Sequence, residues 1–264
     1  MKKLIAIVMM MLAVIMVGCS NQHKPDKQTE ELCEAQTEYC RLLKLQYNAL
    51  NNEPKKANKI QQKAYCDSVV KAVSQFPKDN PFFINWVGTI KNINIRKGAK
   101  NSSIDFDIDV TTPDSIVKIT FECRNIINND SINHYPLYKD VINLVEGSKV
   151  YFTGFLGDDV LPNSLCKAFL PDEINEPFDV IEISATPLKN DISKQIIECF
   201  NLVCKVKEAI DKGEDVSKAE GNNMEQQFLS IQSGFSEKDK DIWKRIEYAF
   251  SNACNREYHF RDVE

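Results

Sequence analysis

The chain has 264 residues, of which 43% are hydrophobic and 27% are charged, as in ordinary globular proteins. It carries 33 basic and 38 acidic residues, which gives a formal net charge of −5 at pH 7. This acidic balance argues against a surface built to bind phosphate polyanions such as nucleic acids.

The first residues are typical of an export signal. Lys2 and Lys3 precede an unbroken apolar run over residues 4–17, which is too short for a membrane-spanning helix of about 20 residues. The run ends in Met16-Val17-Gly18-Cys19. We therefore expect cleavage of a signal peptide over residues 1–18.

The segment Met16-Val17-Gly18-Cys19 resembles the lipobox of bacterial lipoproteins, although Met16 stands where that family usually has leucine. The resemblance implies that Cys19 is lipidated and becomes the new N-terminus. Ser20, rather than aspartate, follows the cysteine, which implies sorting to the outer membrane of the cell envelope, facing the periplasm. Two acyl signals bury far more apolar surface than one, so anchoring in the membrane is expected to be permanent.

Two amphipathic helices are predicted after a polar tether at residues 19–27. Apolar side chains recur at spacings of three, four or seven over residues 28–50, and again over residues 55–75. The sequence NNEP at 51–54 separates the two helices. They form a helical hairpin, which we place at residues 28–80.

Residues 82–188 alternate between apolar and polar side chains and contain turn signals, which predicts β-structure. The predicted strands are 84–95, 103–110, 116–123, 148–156 and 178–185. A short helix is predicted over residues 136–147, with Pro136 at its start and Gly147 at its stop. Five strands with one helix between the third and fourth is the layout of an OB-fold barrel.

The segments NWVGTIKNI and LVEGSKVYFTGFL carry Gly88 and Gly154 within strands, where a small barrel must bend. With this pattern, residues 82–188 resemble OB-fold domains of the tRNA-anticodon-binding-like type found in bacterial envelope lipoproteins. The resemblance implies an α+β fold, in which a five-stranded OB-like β-barrel is flanked by the N-terminal helical hairpin and by C-terminal helices. It concerns strands and glycines and therefore bears on fold rather than on function.

The C-terminal segment, residues 190–264, is predicted to be helical. Apolar residues recur at helical spacing over residues 191–210 and again over residues 237–258. Residues 213–223 are predicted to form a polar loop between them.

Nine cysteines are present, and lipidation of Cys19 leaves an even number. Export to an oxidising compartment favours disulfides, and the helical and strand positions suggest three pairings. These are Cys40–Cys66 across the hairpin, Cys123–Cys166 in the barrel, and Cys199–Cys254 between the C-terminal helices. The alternative, that several are buried thiols acting as small apolar side chains, remains open.

Two candidate binding surfaces follow from the predicted barrel. Asp105, Asp107 and Asp109 alternate with inward apolar residues and so share the outer face of the second strand. We expect this face to be solvated, with docking of a basic partner as its functional alternative and a cation site as a weaker one. The other surface is the segment at 157–177, where Leu161, Leu165 and Phe169 either cap the barrel or bind a partner.

The sequence contains no nucleotide-binding, zinc-protease or serine-hydrolase motif, and its three histidines have no motif partner. We therefore expect no cofactor, no metal and no catalytic residue. The predicted function is that of a lipid-anchored, non-enzymatic binding or scaffolding module with a protein partner in the envelope, and no nucleic acid is expected to bind. The alternatives are an inhibitor or immunity-type lipoprotein that blocks a protein partner, and an envelope hydrolase whose site is dispersed in the sequence.

Overall fold

A computed structural model of the chain describes residues 32–51, 59–98, 101–128, 135–156, 173–189, 191–211 and 218–261. The segment Leu32–Glu264 is a single compact unit. The predicted signal peptide, Cys19 and the tether lie outside the described residues. Within the described residues the protein is α+β, with one five-stranded mixed sheet and six helices.

The helices in chain order are α1 (Glu34–Asn51), α2 (Lys59–Asp79), α3 (Pro136–Val141), α4 (Lys194–Asp211), α5 (Lys218–Ser233) and α6 (Glu237–Arg261). The strands are β1 (Phe83–Lys97), β2 (Asn101–Thr111), β3 (Lys118–Asn128), β4 (Lys149–Leu156) and β5 (Glu173–Ser184). All five predicted strands are present, with bounds that differ from the sequence estimate by a few residues at most ends. The predicted short helix is also present, but it ends at Val141.

The sheet closes on itself in the order β1-β2-β3-β5-β4, because β4 pairs back onto β1. Four of the five pairings are antiparallel, and β3 pairs with β5 in parallel, from Lys118 opposite Glu173 to Glu122 opposite Pro177. The chain therefore crosses from β3 to β5 by way of α3 and β4. A closed sheet has no unpaired edge.

Strand β1 pairs with both β2 and β4, and its pairing is irregular at two asparagines. Asn85 and Asn92 both have φ of 53°, and the register with the neighbouring strand shifts at each. Asparagine tolerates this left-handed conformation better than most residues and often marks a bulge. The Asn85 backbone N–H donates to Thr153 Oγ1 at 3.0 Å, so a side chain replaces the lost strand partner.

The interior of the barrel is an aromatic core. The largest fully buried side chains in it are Phe83, Trp86, Phe106, Phe121, Phe152 and Phe178. Their ring centroids are close, at 4.3 Å for Phe83 and Trp86 and 4.5 Å for Phe121 and Phe178. On β2 and β3 the inward residues lie at every second position, as the alternation in the sequence predicted, whereas Phe83 and Trp86 on β1 are three residues apart because the strand is irregular at Asn85.

Helices α1 and α2 extend this core at one side of the barrel. Tyr39 and Phe76 pack on each other and on Phe83. A buried glutamine fixes α1 to the sheet: Gln36 Nε2 donates to the Val87 carbonyl oxygen at 2.7 Å, and Gln36 Oε1 accepts from the Val87 N–H at 2.9 Å. The side-chain amide thus satisfies both backbone groups of a residue beside the β1 bulge.

Helices α4 and α6 form a second apolar cluster with the other side of β4 and β5. Phe155 and Ile181 point out of the barrel and meet Phe200, Trp243 and Ile246. Helix α5 joins this cluster through Phe228, whose ring centroid is 5.5 Å from that of Trp243. The predicted polar loop at 213–223 is therefore wrong for residues 218–223, which form the first turns of α5. These residues are mostly polar and gave no strong local signal for a helix.

Candidate functional site

The outer surface of β1, β2 and β3 carries the aspartates that the sequence singled out. We call it the charged face and define it by Lys91, Asp105, Asp107, Asp109, Lys118, Glu122 and Arg124. The three strands are in register so that Asp107 lies between Lys91 and Glu122, and Asp105 lies opposite Arg124. Cross-strand pairs at this spacing interact directly.

Asp107 accepts hydrogen bonds from both neighbouring strands. Arg124 Nη1 on β3 donates to its Oδ1 at 2.8 Å, and Asn92 Nδ2 on β1 donates to its Oδ2 at 2.6 Å. The same Arg124 nitrogen also donates to the Phe106 carbonyl oxygen at 3.1 Å. Burial disfavours the charged guanidinium, but the Asp107 carboxylate outweighs it and raises the pKa of Arg124 above its ordinary value.

Asp109 is held in the same way. Thr120 Oγ1 donates to its Oδ1 at 2.8 Å, Lys91 forms an ion pair with its Oδ2, and Lys118 Nζ lies 3.4 Å from the same oxygen. Burial alone would raise the pKa of Asp109, but the hydrogen bonds from Lys91 and Thr120 and the charge of Lys118 lower it below the ordinary value. The carboxylate is therefore ionised at neutral pH and is not suited to act as a general acid.

The expected solvation of these aspartates is wrong for two of the three. Asp107 and Asp109 are each only 7% exposed, and only Asp105 is half-buried, with one 3.2 Å hydrogen bond from Ser103. The reason is tertiary, because β2 runs between two strands whose long cationic side chains fold over the carboxylates. Alternation along β2 predicted that the three aspartates share one face of the sheet. It did not reveal that side chains on β1 and β3 cover two of them.

The solvent-exposed part of the charged face therefore consists mainly of the side chains that cover Asp107 and Asp109. The side chains of Lys91, Lys118 and Arg124 remain 46, 32 and 39% exposed, and that of Glu122 remains 40% exposed. A partner docking here would meet a mixed-charge surface rather than an acidic stripe. This arrangement holds the carboxylates of Asp107 and Asp109 in fixed orientations.

A shallow cavity opens at the far end of the same strands. It has a volume of about 350 Å³ and is lined by Arg96, Gly98, Asn101, Ser102, Ser103 and Ile126. These residues belong to the β1–β2 hairpin and to the end of β3. The cavity continues the charged face toward the hairpin tip.

The second predicted surface lies outside the described residues, since Leu161, Leu165, Phe169 and Cys166 all fall within 157–172. His23 and His134 also lie outside them, and the side chain of His259 is not described. Among the residues whose placement is described, no cluster of three or more His, Cys, Asp or Glu side chains could hold a metal ion.

Of the three predicted disulfides, only Cys40–Cys66 joins two cysteines whose side chains are described, and the structure does not contain it. Cys40 is a free thiol buried against the barrel among Tyr39, Leu43 and Trp86, rather than a partner of Cys66 on α2. Cys199 is a free thiol in the second cluster, and the side chain of Cys254 is not described. Cys123 Sγ, in the barrel interior, donates to the Phe121 carbonyl oxygen at 3.8 Å, and its predicted partner Cys166 lies outside the described residues. Burial raises the pKa of both Cys40 and Cys199 to about 11.

No protein-family model, no curated protein and no solved structure matches the chain. In the part of the chain that the structure describes, none of the helices has the length and apolar character needed to cross a membrane.

Proposed function

We propose that this protein is a lipid-anchored cell-envelope protein that acts as a non-enzymatic binding or scaffolding module through an OB-like barrel. The observation that carries the proposal is the charged face, a polar, partly exposed surface over β1–β3 with its side chains held in fixed positions. Its expected ligand is a protein of the envelope.

The strand order supports an OB-type barrel. Five strands in the order β1-β2-β3-β5-β4, a parallel β3–β5 pairing and a helix between β3 and β4 are the features of that architecture. OB-folds bind their ligands over the face of strands two and three and with the adjoining loops. The charged face and the cavity at the β1–β2 hairpin occupy this region.

The placement of the helices also supports the assignment. Helices α4 and α6 pack against the outward residues of β4 and β5, and α1 and α2 pack against the aromatic core. Lys91, Glu122 and Arg124 nevertheless keep a large part of their side-chain surface in contact with solvent. A surface that is both ordered and accessible is suited to a partner, and the absence of a bulk apolar patch there fits a reversible interface.

The membrane anchor rests on the N-terminal sequence alone. Two lysines near the N-terminus, an apolar run and Gly18-Cys19 occur together within the first 19 residues. Cys19 would carry the lipid, and the polar tether at 19–27 would separate the folded unit from the bilayer. In this arrangement the module is confined near the membrane, which raises its effective concentration toward envelope partners.

Site-specific photo-crosslinking in cells tests the binding role. A photoreactive amino acid is placed at Glu122 on the charged face or at the exposed Asn94, which lies opposite Asp105 on β1. As a control it is placed at Glu237 on α6, whose side chain is 91% exposed. We expect one protein to be captured from both face positions and not from the control. Capture of nothing from the face, or of the same proteins from all three positions, would count against the proposal.

A further inference from the structure

One carboxylic acid lies inside the barrel. Glu176 on β5 is only 5% exposed, and its neighbours at two residues' distance, Ile174 and Phe178, are core residues. Its partner across the parallel pairing is Phe121, another core residue, so the Glu176 side chain shares the inner face. Its Oε2 has no hydrogen-bond partner among the described residues. An unpaired buried polar atom of this kind is destabilising and calls for an explanation.

The same region holds further unsatisfied polar atoms where α1 packs on the barrel. Trp86 Nε1 in the core, and both amide atoms of Gln46 on α1, also lack a hydrogen-bond partner within the described part of the chain. Tyr39 lies seven residues before Gln46, on the same side of α1, and its ring centroid is 5.7 Å from that of Trp86. The junction between α1 and the barrel thus buries polar groups that water would satisfy.

Few charges face Glu176. From α1, the Tyr39 phenol is fully buried, and burial first, then the Glu176 carboxylate, raises its pKa. Cys40 on α1 is a buried thiol whose neighbouring ionisable groups are Cys33 and Asp114. The side chains packed around Tyr39 from α2 and β1 are Phe76, Phe83 and Trp86, none of which titrates. Within the described part of the chain, burial is the only cause acting on Glu176, and it raises the pKa of that carboxyl to about 7.

We propose that Glu176 is a proton-operated latch, whose neutral form keeps the α1–α2 hairpin seated on the barrel and whose ionised form loosens it. The proton dissociates to water, and the carboxylate that remains needs water around it. At Glu176 strand β5 is joined to β3 by backbone hydrogen bonds, whereas α1 is held by side chains: the Gln36–Val87 pair, the Lys44–Asp114 ion pair and apolar packing. Among the described elements around Glu176, α1 is therefore the one whose separation lets water reach the carboxyl.

Opening of the latch would uncover specific groups. Trp86 and Phe83 would lose the cover of Tyr39, and the Cys40 thiol, now 2% exposed, would meet solvent. Cys199 offers a matched reference, because it is also fully buried, has its pKa raised to about 11 by burial as Cys40 does, and lies in the other apolar cluster. The ratio of their labelling rates cancels the general increase of thiol reactivity with pH.

The test is alkylation of the full chain in detergent with iodoacetamide, with thiols kept reduced by a phosphine and each cysteine followed by peptide mass spectrometry. A carboxyl with a pKa near 7 when closed and an ordinary pKa when open predicts that the Cys40 to Cys199 rate ratio rises about tenfold from pH 6 to pH 8. In Glu176→Gln, which keeps the shape and cannot ionise, the ratio should stay constant over the same range.

A constant ratio in the native protein would overturn the latch, as would an equal rise in native protein and Glu176→Gln. If the glutamine variant does not fold, Glu176→Met, which fills similar space without polar atoms, takes its place. The measurement requires no binding partner, so its failure is distinguishable from failure of the proposed binding function.

Discussion

Replacing Asp109 by asparagine should destabilise the protein, whereas the same change at Asp105 should not. Asp109 is buried and ionised between Lys91, Lys118 and Thr120, while Asp105 is half-buried and accepts a 3.2 Å hydrogen bond from Ser103. The two residues lie on the same strand and the same face. They are therefore a matched pair that differs in environment.

The magnitude follows from the partners. Asparagine can still accept from Thr120, but it loses the charge interactions with two lysines whose side chains are 46 and 32% exposed and thus partly screened. We expect Asp109→Asn to lower the free energy of unfolding by about 1–2 kcal/mol. For a unit of this size this corresponds to a fall in Tm of about 3–6 °C, against less than about 2 °C for Asp105→Asn.

Thermal unfolding followed by circular dichroism at pH 7 measures both variants, and a pH series adds a second check. Because the folded pKa of Asp109 lies below 3.8, its stabilisation is complete above that pH and is lost as the pH falls through the folded value. The difference between native protein and Asp109→Asn should therefore shrink below about pH 4. Equal Tm values for the two variants, or a difference that does not shrink as the pH falls below 3.8, would refute the proposed stabilisation of Asp109 by Lys91, Lys118 and Thr120.

Glu176→Gln should raise the free energy of unfolding at pH 8 by up to about 3 kcal/mol and leave it unchanged near pH 4. The reason is that burial raises the pKa of Glu176 from 4.5 to about 7, so the stability of the native protein declines as the pH rises between those values. Urea titrations measure both free energies; if the carboxyl is solvated, the effect of the substitution will be the same at pH 4 and pH 8. Gly154→Ala should cost about 2–3 kcal/mol, since its Cβ would lie 2.3 Å from the Asp179 carbonyl oxygen, whereas Gly221→Ala in α5 meets nothing within 4 Å and should stabilise by about 0.5–1 kcal/mol. Comparable urea midpoints for these two alanine variants would contradict the packing of β4 on β5. Cys19→Ala should move the protein from membrane to soluble fractions and abolish lipid labelling; continued labelling of this variant would rule out Cys19 as the anchor.

Several elements could be predicted because their signals are local. The five strands follow from alternation of apolar and polar side chains, and α3 follows from Pro136 at its start. Helix α5 was missed over its first turns because its apolar residues are sparse. The helical conformation of α5 depends on tertiary contacts such as that of Phe228 with Trp243, which no local pattern encodes.

The cysteines show the same division. The even number of cysteines left after lipidation of Cys19, together with an export signal, favoured disulfides. Cys40 and Cys199 nevertheless lie in different apolar clusters as free thiols. Spacing along a helix gives the height of a residue but not the direction of its neighbours across a helix pair. Cys40 is buried in the cluster that contains the aromatic core and does not pair with Cys66 on α2.

By itself the sequence determined the strand-rich middle, the flanking helices, and the alternation that places Asp105, Asp107 and Asp109 on one face. Only the tertiary structure decided that Lys91, Lys118 and Arg124 cover two of these carboxylates, and that Glu176 points into the core. Alternation is a property of one strand, whereas ionisation and exposure depend on what neighbouring strands and helices bring to it. The electrostatic character of this barrel is therefore a product of strand register and helix packing.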